Sequence, residues 1–210
     1  MKPTITFLVP LILLLLAQSA RANQEQQWHF NVFLDGSCDS RLTQKGDSAR
    51  ELQSNARFDV KFLFFTAYRY RHSDTEIWRG NCLQSIDAYT NDNGDKYFVR
   101  GSRNGQGFDF ASAGTEITTP ECVKTFAYWD PSILKARRLL NSQTGEFVDI
   151  EVKLVGRETI PVRGRQVQAN RYRLVSELGD IDLWYALDGY RWLALQSTTE
   201  SGRKISYRMN

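Results

Sequence analysis

The stretch FDVKFLFFTAYRY, residues Phe58 to Tyr70, decides the fold. Every even position in it except Thr66 is apolar or aromatic, while the odd positions are charged towards the ends and apolar in the middle. This period of two is typical of a β-strand with one buried face. We therefore predict one long strand here, covered on both faces at its centre. Such a strand is longer than a typical sandwich strand and suits a curved sheet or barrel.

The same alternation recurs on both sides of this stretch. Trp28 to Leu34 and Val148 to Leu154 read as further strands. Asn93-Gly94 is the preferred pair for a type I′ hairpin turn, and Arg163-Gly164 and Asp188-Gly189 read as further turns. We expect a mainly β protein, built as a strongly curved antiparallel sheet or half-open β-barrel of about ten strands.

One segment breaks the strand pattern. Asp130-Pro131 combines an N-cap oxygen with a proline at the first helical position. The sequence therefore predicts a short helix from Pro131 to Leu140, packed on the concave face of the sheet.

The N-terminus resembles a secretion signal. Lys2 precedes an apolar run from Ile5 to Ala17, and Ala20-Arg21-Ala22 is an A-x-A cleavage pattern. The run is shorter than the roughly 20 residues of a spanning helix. We expect residues 1–22 to be a cleaved signal peptide and residues 23–210 to form a single β-rich domain, periplasmic or secreted, with no transmembrane segment.

Charge argues against one class of partner. Lys and Arg total 27 and Asp and Glu total 24. Because Lys2 and Arg21 belong to the predicted signal, the remaining chain is almost neutral. A nucleic-acid binder would carry a concentrated positive excess, so we expect no nucleic-acid partner.

The three cysteines allow three single pairs. Export to an oxidising compartment would favour a disulfide. We favour Cys82 with Cys122, which leaves Cys38, in a polar stretch that reads as a loop, as the odd thiol.

Chemistry-bearing motifs are scarce. The sequence contains no Gly-x-Ser-x-Gly elbow, no zinc spacing and no phosphate-binding glycine loop, so we expect no metal and no cofactor. His72 lies in a polar segment that reads as a surface turn, with a catalytic base as the alternative. The pairs Asp180/Asp182 and Asp149/Glu151 share a strand face, which we read as solvated rather than as a glycosidase pair.

Aromatic residues are abundant, with 5 Trp, 9 Tyr and 12 Phe. Core packing explains most of them, but a sheet that is apolar on both faces also needs a cover on both. One short helix covers only part of a face, so the remainder could line a cavity for an apolar ligand. The plausible contacts are Phe62, Phe64, Tyr68, Trp129, Trp184 and Trp192.

Several motifs resemble a known family. The stretches WHFNVFLDG (28–36), EIWRGNCL (76–83), CVKTFAYWDP (122–131) and IDLWY (181–185) are similar to those of a family of uncharacterised exported bacterial proteins, a domain of unknown function. The resemblance implies no activity. The predicted architecture is also remotely similar to the lipoprotein-carrier half-barrels, an analogy that implies no site residues.

Three functions remain open at this point. The leading hypothesis is a non-catalytic binding or carrier protein for an apolar or amphiphilic, lipid-like ligand. The alternatives are a protein-interaction module in cell-envelope upkeep and a hydrolase that uses His72 or a carboxylate pair.

Overall fold

The structure, a computed structural model, describes residues 25–32, 36–45, 48–62, 65–112, 114–198 and 204–209. The predicted signal peptide, residues 1–22, lies outside the described residues. The described residues form fifteen strands and one short 3₁₀ helix. The strands are β1 (Glu25–Val32), β2 (Gly36–Lys45), β3 (Ala49–Phe62), β4 (Phe65–Arg79), β5 (Cys82–Asp92), β6 (Asp95–Arg103), β7 (Phe108–Ser112), β8 (Thr115–Thr119), β9 (Arg138–Leu140), β10 (Phe147–Asp149), β11 (Glu151–Val162), β12 (Arg165–Val175), β13 (Ile181–Ala186), β14 (Trp192–Thr198) and β15 (Lys204–Met209).

Thirteen of these strands form one antiparallel sheet. Its order is β11-β12-β13-β14-β15-β1-β2-β3-β4-β5-β6-β7-β8, and β9 and β10 pair separately. From β1, in the middle of the sheet, the strands meander out to one edge at β8. The chain then crosses through residues 120–150 to the other edge, β11, and meanders back until β15 pairs with β1. The prediction of a mainly antiparallel β protein is confirmed, and the sheet is not closed. The described strands outnumber the expected ten.

The predicted continuous strand from Phe58 to Tyr70 is wrong. The stretch is a hairpin, in which β3 and β4 are antiparallel neighbours and Phe62 pairs with Phe65. Residues 63 and 64, between the two strands, are Leu and Phe. The connections between strands are usually marked by Gly, Asn, Asp or Pro, so two strands of matching alternation that are joined by two apolar residues read as one strand.

The predicted helix over Pro131–Leu140 is also wrong. Pro131–Lys135 is a 3₁₀ helix of 5 residues, and Arg138–Leu140 is strand β9. The start signal itself is correct, because Asp130 is the N-cap and accepts a hydrogen bond from the Ser132 amide at 3.0 Å. The helix ends early because Ala136 is extended and the backbone of Leu140 bonds to that of Lys124 instead.

The predicted hairpin turns at two sites are confirmed. Asn93 and Gly94 have φ of 52° and 116°, and Arg163 and Gly164 have φ of 48° and 71°. A type I′ turn needs a positive φ at both central residues. The backbone of each pair therefore has the handedness that closes a two-residue hairpin.

Residues 120–150 pack on one face of the sheet, which we call the inner face. The apolar side chains that the sheet contributes to this inner face are Leu52, Trp78, Ile86, Val99, Phe110, Leu174, Leu183 and Leu195. Ile133, Leu139 and Val148 pack against the strands β3 and β12 to β15, while Val123, Ala127 and Leu140 pack against β4 to β7. One segment therefore joins both halves of the sheet into a continuous core.

The crossing segment is tied to the sheet at its first residues. Cys122 forms a disulfide with Cys82 at the start of β5, as predicted. The amide of Leu83 donates to the carbonyl of Val123 at 3.0 Å, and Lys124 Nζ donates to the carbonyl of Asn81 at 2.9 Å. No helix in the described part of the chain is long and apolar enough to cross a membrane.

We expect Gly145→Ala to destabilise the protein by about 2 kcal/mol more than Gly164→Ala. Both glycines have a positive φ, +78° and +71°, so both substitutions strain the backbone. A Cβ at Gly145 would also overlap the side chain of Ser112 on β7, whereas nothing lies within 4 Å at Gly164. Urea unfolding of both variants measures the difference, and equal losses would contradict the close contact between Gly145 and β7.

Candidate functional site

A row of ionisable side chains is buried on the inner face of β4. His72, Asp74 and Glu76 are 9%, 8% and 1% exposed. Asp and Glu are almost never fully buried unless they are paired. Buried ionisable groups of this kind are concentrated at functional sites, which makes this row the candidate site.

The sequence prediction of a surface turn around His72 is wrong. His72 lies in the middle of β4, where Tyr70, His72, Asp74, Glu76 and Trp78 all point inward and are buried. The outward positions carry the exposed polar residues of this segment, such as Arg69 and Thr75. Polar and charged residues occupy both faces of this part of the strand, so the sequence resembles an exposed segment. Half of its side chains are nevertheless buried in the core.

His72 bridges a hydroxyl and a carboxylate. Its Nδ1 lies 2.9 Å from Oγ1 of Thr90 on β5, and its Nε2 lies 3.4 Å from Oδ2 of Asp74. The other carboxylate oxygen, Asp74 Oδ1, is buried and has no hydrogen-bond partner. Buried polar atoms nearly always have a partner, so Oδ1 is an acceptor that a bound group can use.

Glu76 continues the row towards the core. Trp78 Nε1 donates to Glu76 Oε2 at 2.9 Å. Burial raises the pKa of Glu76 to about 8, the negative charge of Asp74 adds to the rise, and hydrogen bonds from Thr125 and Trp78 oppose it. At neutral pH this carboxyl group is therefore mostly protonated and uncharged.

The neighbours of the row across the sheet are small near its centre. Ser54 and Ala88 lie opposite Asp74, and Ala56 and Thr90 lie opposite His72. Residues directly opposite in an antiparallel pair share a face. His72 and Asp74 therefore stand on a floor of small side chains, whereas Leu52 and Ile86 flank Glu76.

Two of the predicted ligand contacts pack in the core on the inner face. The ring centroids of Trp129 and Trp78 are 5.5 Å apart. The guanidinium carbon of Arg50 lies 4.5 Å from the ring centroid of Trp129. Trp192 lies 5.6 Å from Tyr128. Both rings thus have structural partners on the face that carries His72.

Of the other predicted contacts, Tyr68 and Trp184 have described side chains, and Trp184 does not lie on this face. Tyr68 is half-buried, and burial together with a hydrogen bond to Asp92 raises its pKa. Trp184 lies on the opposite, outer face, where its Nε1 donates to Glu158 Oε1 at 2.8 Å. Phe64 and the side chain of Phe62 lie outside the described residues.

The carboxylate pair Asp180/Asp182 is an ion-pair site. Arg171 Nη2 lies 2.6 Å from Asp182 Oδ2, and Arg173 Nε lies 2.9 Å from Asp182 Oδ1. Burial alone would raise the pKa of Asp182, but hydrogen bonds from Arg173 and Arg171 outweigh it and lower the pKa. A carboxylate held ionised by two arginines is a poor general acid. Among the described residues, no three His, Cys, Asp or Glu side chains are placed to hold a metal ion.

The sequence of the chain matches a known family. A profile of the family described as a domain of unknown function, DUF6134, matches residues 30–210. The chain belongs to this family. The match confirms the resemblance seen in the sequence, and it includes all of β2 to β15. No curated protein matches the chain.

The DUF6134 family description contains no activity, so the function has to be argued from the site. Sequence reasoning selected His72 but placed it in a surface turn, and so missed the burial of Asp74, Glu76 and Thr90 beside it. The sequence does contain one signal of this burial. Trp78 is eight residues after Tyr70, an even number, so it lies on the same face of a continuous strand as Tyr68 and Tyr70. A strand that keeps its phase over that distance must point residues 72, 74 and 76 inward.

Proposed function

We propose that this DUF6134 protein is exported, loses residues 1–22, and binds an apolar or amphiphilic, lipid-like molecule on the inner face without catalysing a reaction. The observation that carries the proposal is the buried His72–Asp74 pair with its unpartnered oxygen, which lies beside small side chains on a mostly apolar face. Ligand sites typically combine an apolar wall with a few placed polar groups. The Cys82–Cys122 disulfide supports export, because disulfides persist in oxidising compartments.

The arrangement of the core supports a half-open barrel as the shape of this site. The segment 120–150 contacts β3, β4 and β5 as well as β12, β13 and β14. Leu52 on β3 and Leu174 on β12 belong to the same core cluster. In a flat sheet these strands, six positions apart in the order, would lie about 29 Å from each other. We therefore propose that the sheet wraps around residues 120–150, with the ligand next to His72.

Native mass spectrometry of the chain purified from the exported fraction without detergent tests the proposal. We expect an additional mass of lipid size that disappears after extraction with organic solvent. Ala88→Leu, which fills the floor beside Asp74, should reduce this additional mass. Ala111→Leu makes the same change opposite Arg100, away from the inner face, and should leave it intact. A wild-type protein with a clean mass would contradict the proposal and favour an interaction module, for which exposed rings such as Phe98 would be the contacts.

A hydrolase remains the second candidate because Thr90, His72 and Asp74 place a hydroxyl, an imidazole and a carboxylate in one chain of contacts. The same order of groups activates the nucleophile of serine hydrolases. Thr90 is only 2% exposed, which restricts access to it. Turnover of p-nitrophenyl esters that is lost in Thr90→Val would support this candidate, and an absence of turnover by wild type would contradict it.

A further inference from the structure

The unpartnered oxygen of Asp74 defines the chemistry of the group that this site accepts. The Asp74 side chain is 6% exposed, and its Oδ2 faces His72 Nε2 at 3.4 Å. Oδ1 has no donor within reach. A carboxylate oxygen is an acceptor only, so the group that completes the site must donate a hydrogen bond.

The charges around Asp74 disfavour an anionic group. The described contacts of Asp74 include no Lys or Arg. Arg50 on β3 stacks on Trp129 and donates to the carbonyl of Gly80, and Lys124 of the crossing segment donates to Asn81 and Ser132. A carboxylate, phosphate or sulfate beside Oδ1 would therefore meet the negative charge of Asp74, and His72, which lies on the Oδ2 side, is the one described contact of Asp74 that can carry a positive charge.

The side chains beside Asp74 across the sheet are small. Ser54 and Ala88 flank Asp74 across the sheet, and neither extends as far from the backbone as the aspartate does. Tyr70 is the next inward residue beyond His72, and its ring stacks with the imidazole at 6.4 Å between centroids. Asp74 is thus a buried acceptor with small side chains beside it on β3 and β5 and an aromatic ring beyond His72.

We propose, building on the lipid-like ligand proposed above, that the polar end of the ligand is a small hydrogen-bond donor, a hydroxyl or a protonated amine, bound to Asp74 Oδ1. Anionic amphiphiles and amphiphiles whose head only accepts hydrogen bonds are then poor ligands. The apolar chain contributes affinity in every amphiphile, and the head group determines which of them binds more tightly.

Four amphiphiles with a chain of ten carbons test this inference: decylamine, decanol, decyl methyl ether and decanoate, in which the carboxylate carbon is the tenth. Their affinities are measured at pH 7, below micelle formation, by displacement of the neutral dye N-phenyl-1-naphthylamine. We expect decylamine and decanol to bind at least about 10-fold more tightly than the ether and decanoate, since a hydrogen bond to a buried charged group changes the affinity by roughly this factor.

Two variants assign the preference to Asp74. Asp74→Asn keeps the shape of the side chain and removes its charge, and it should reduce the preference for decylamine over the ether to less than about 3-fold. Asp87→Asn makes the same change at an exposed residue paired with Arg100, and it should keep the full preference. The head-group comparison on wild type stands even where a variant folds poorly.

The outcomes separate this inference from the proposed function. Equal affinity for all four amphiphiles would overturn the donor-head inference and leave binding of an apolar ligand in place, with a structural water as the partner of Oδ1. Tighter binding of decanoate would overturn it as well. Failure of all four to displace the dye would count against the proposed function itself.

Discussion

Glu76→Gln should make the protein several kcal/mol more stable at pH 8 and change its stability little below pH 4.5. Glu76 is 1% exposed, and burial raises its pKa in the folded protein from 4.5 to about 8. Below pH 4.5 the carboxyl is protonated in both states, and its contribution to stability is fully present. As the pH rises towards 8 the unfolded chain ionises first, so stability falls by up to about 4 kcal/mol. Above the folded pKa the loss is complete.

Urea unfolding across this pH range, with the disulfide intact, measures the effect. Glutamine accepts the hydrogen bonds from Trp78 and Thr125 but does not ionise, so the gap between variant and wild type should widen as the pH rises. Glu151→Gln is the matched control, because Glu151 is exposed and pairs with Lys153 on the edge strand. Parallel curves for wild type and Glu76→Gln would show that Glu76 is not held protonated by burial.

Loss of the Cys82–Cys122 disulfide should lower the free energy of unfolding by about 3–4 kcal/mol. The bond closes a loop of 40 residues. Closing a loop of this size lowers the conformational entropy of the unfolded chain, which raises the free energy of the unfolded state by about 3–4 kcal/mol. The double substitution Cys82→Ser with Cys122→Ser removes the bond without adding bulk. The contacts at Leu83 and Lys124 should keep the crossing segment in place in the folded state.

Chemical unfolding of the double variant, and of wild type with a reducing agent, measures the loss. The two should agree within about 1 kcal/mol, since both remove the same constraint. Cys38→Ser is the control, because Cys38 is the cysteine outside this bond, and it should keep the full wild-type difference between oxidised and reduced protein. A loss below 1 kcal/mol in the double variant would contradict the loop-closure account.

The sequence predicts the antiparallel β architecture because most of its turns have chemical markers. Asn93-Gly94 and Arg163-Gly164 adopt the positive φ values expected of them, and the disulfide forms between the favoured pair. Residues 63 and 64, which link β3 to β4 in the sequence, are Leu and Phe and carry no such marker, which is why two strands read as one. The helix at Pro131 starts as predicted and stops early because pairing of Leu140 with residues 124 and 125 determines its second half.

The candidate site was only partly predictable. Local sequence identifies His72 as unusual, but its burial depends on β3 and β5 as neighbours and on the phase of a strand that extends to Arg79. The small floor beside Asp74 comes from residues 54, 56, 88 and 90, which only the register brings together. Trp184 illustrates the converse, since an aromatic residue in a strand carries no sign of which face it occupies.

The most direct test of the account is whether a bound amphiphile reaches His72. The chain contains 2 histidines, His29 and His72, so nuclear magnetic resonance of the imidazole rings gives few signals, and His29→Gln assigns them. The titrant is whichever decyl amphiphile displaces the dye most tightly. We predict that it shifts the ring signals of His72, which contacts both Thr90 and Asp74. Unchanged His72 signals at saturation would contradict a binding site on the inner face of β4.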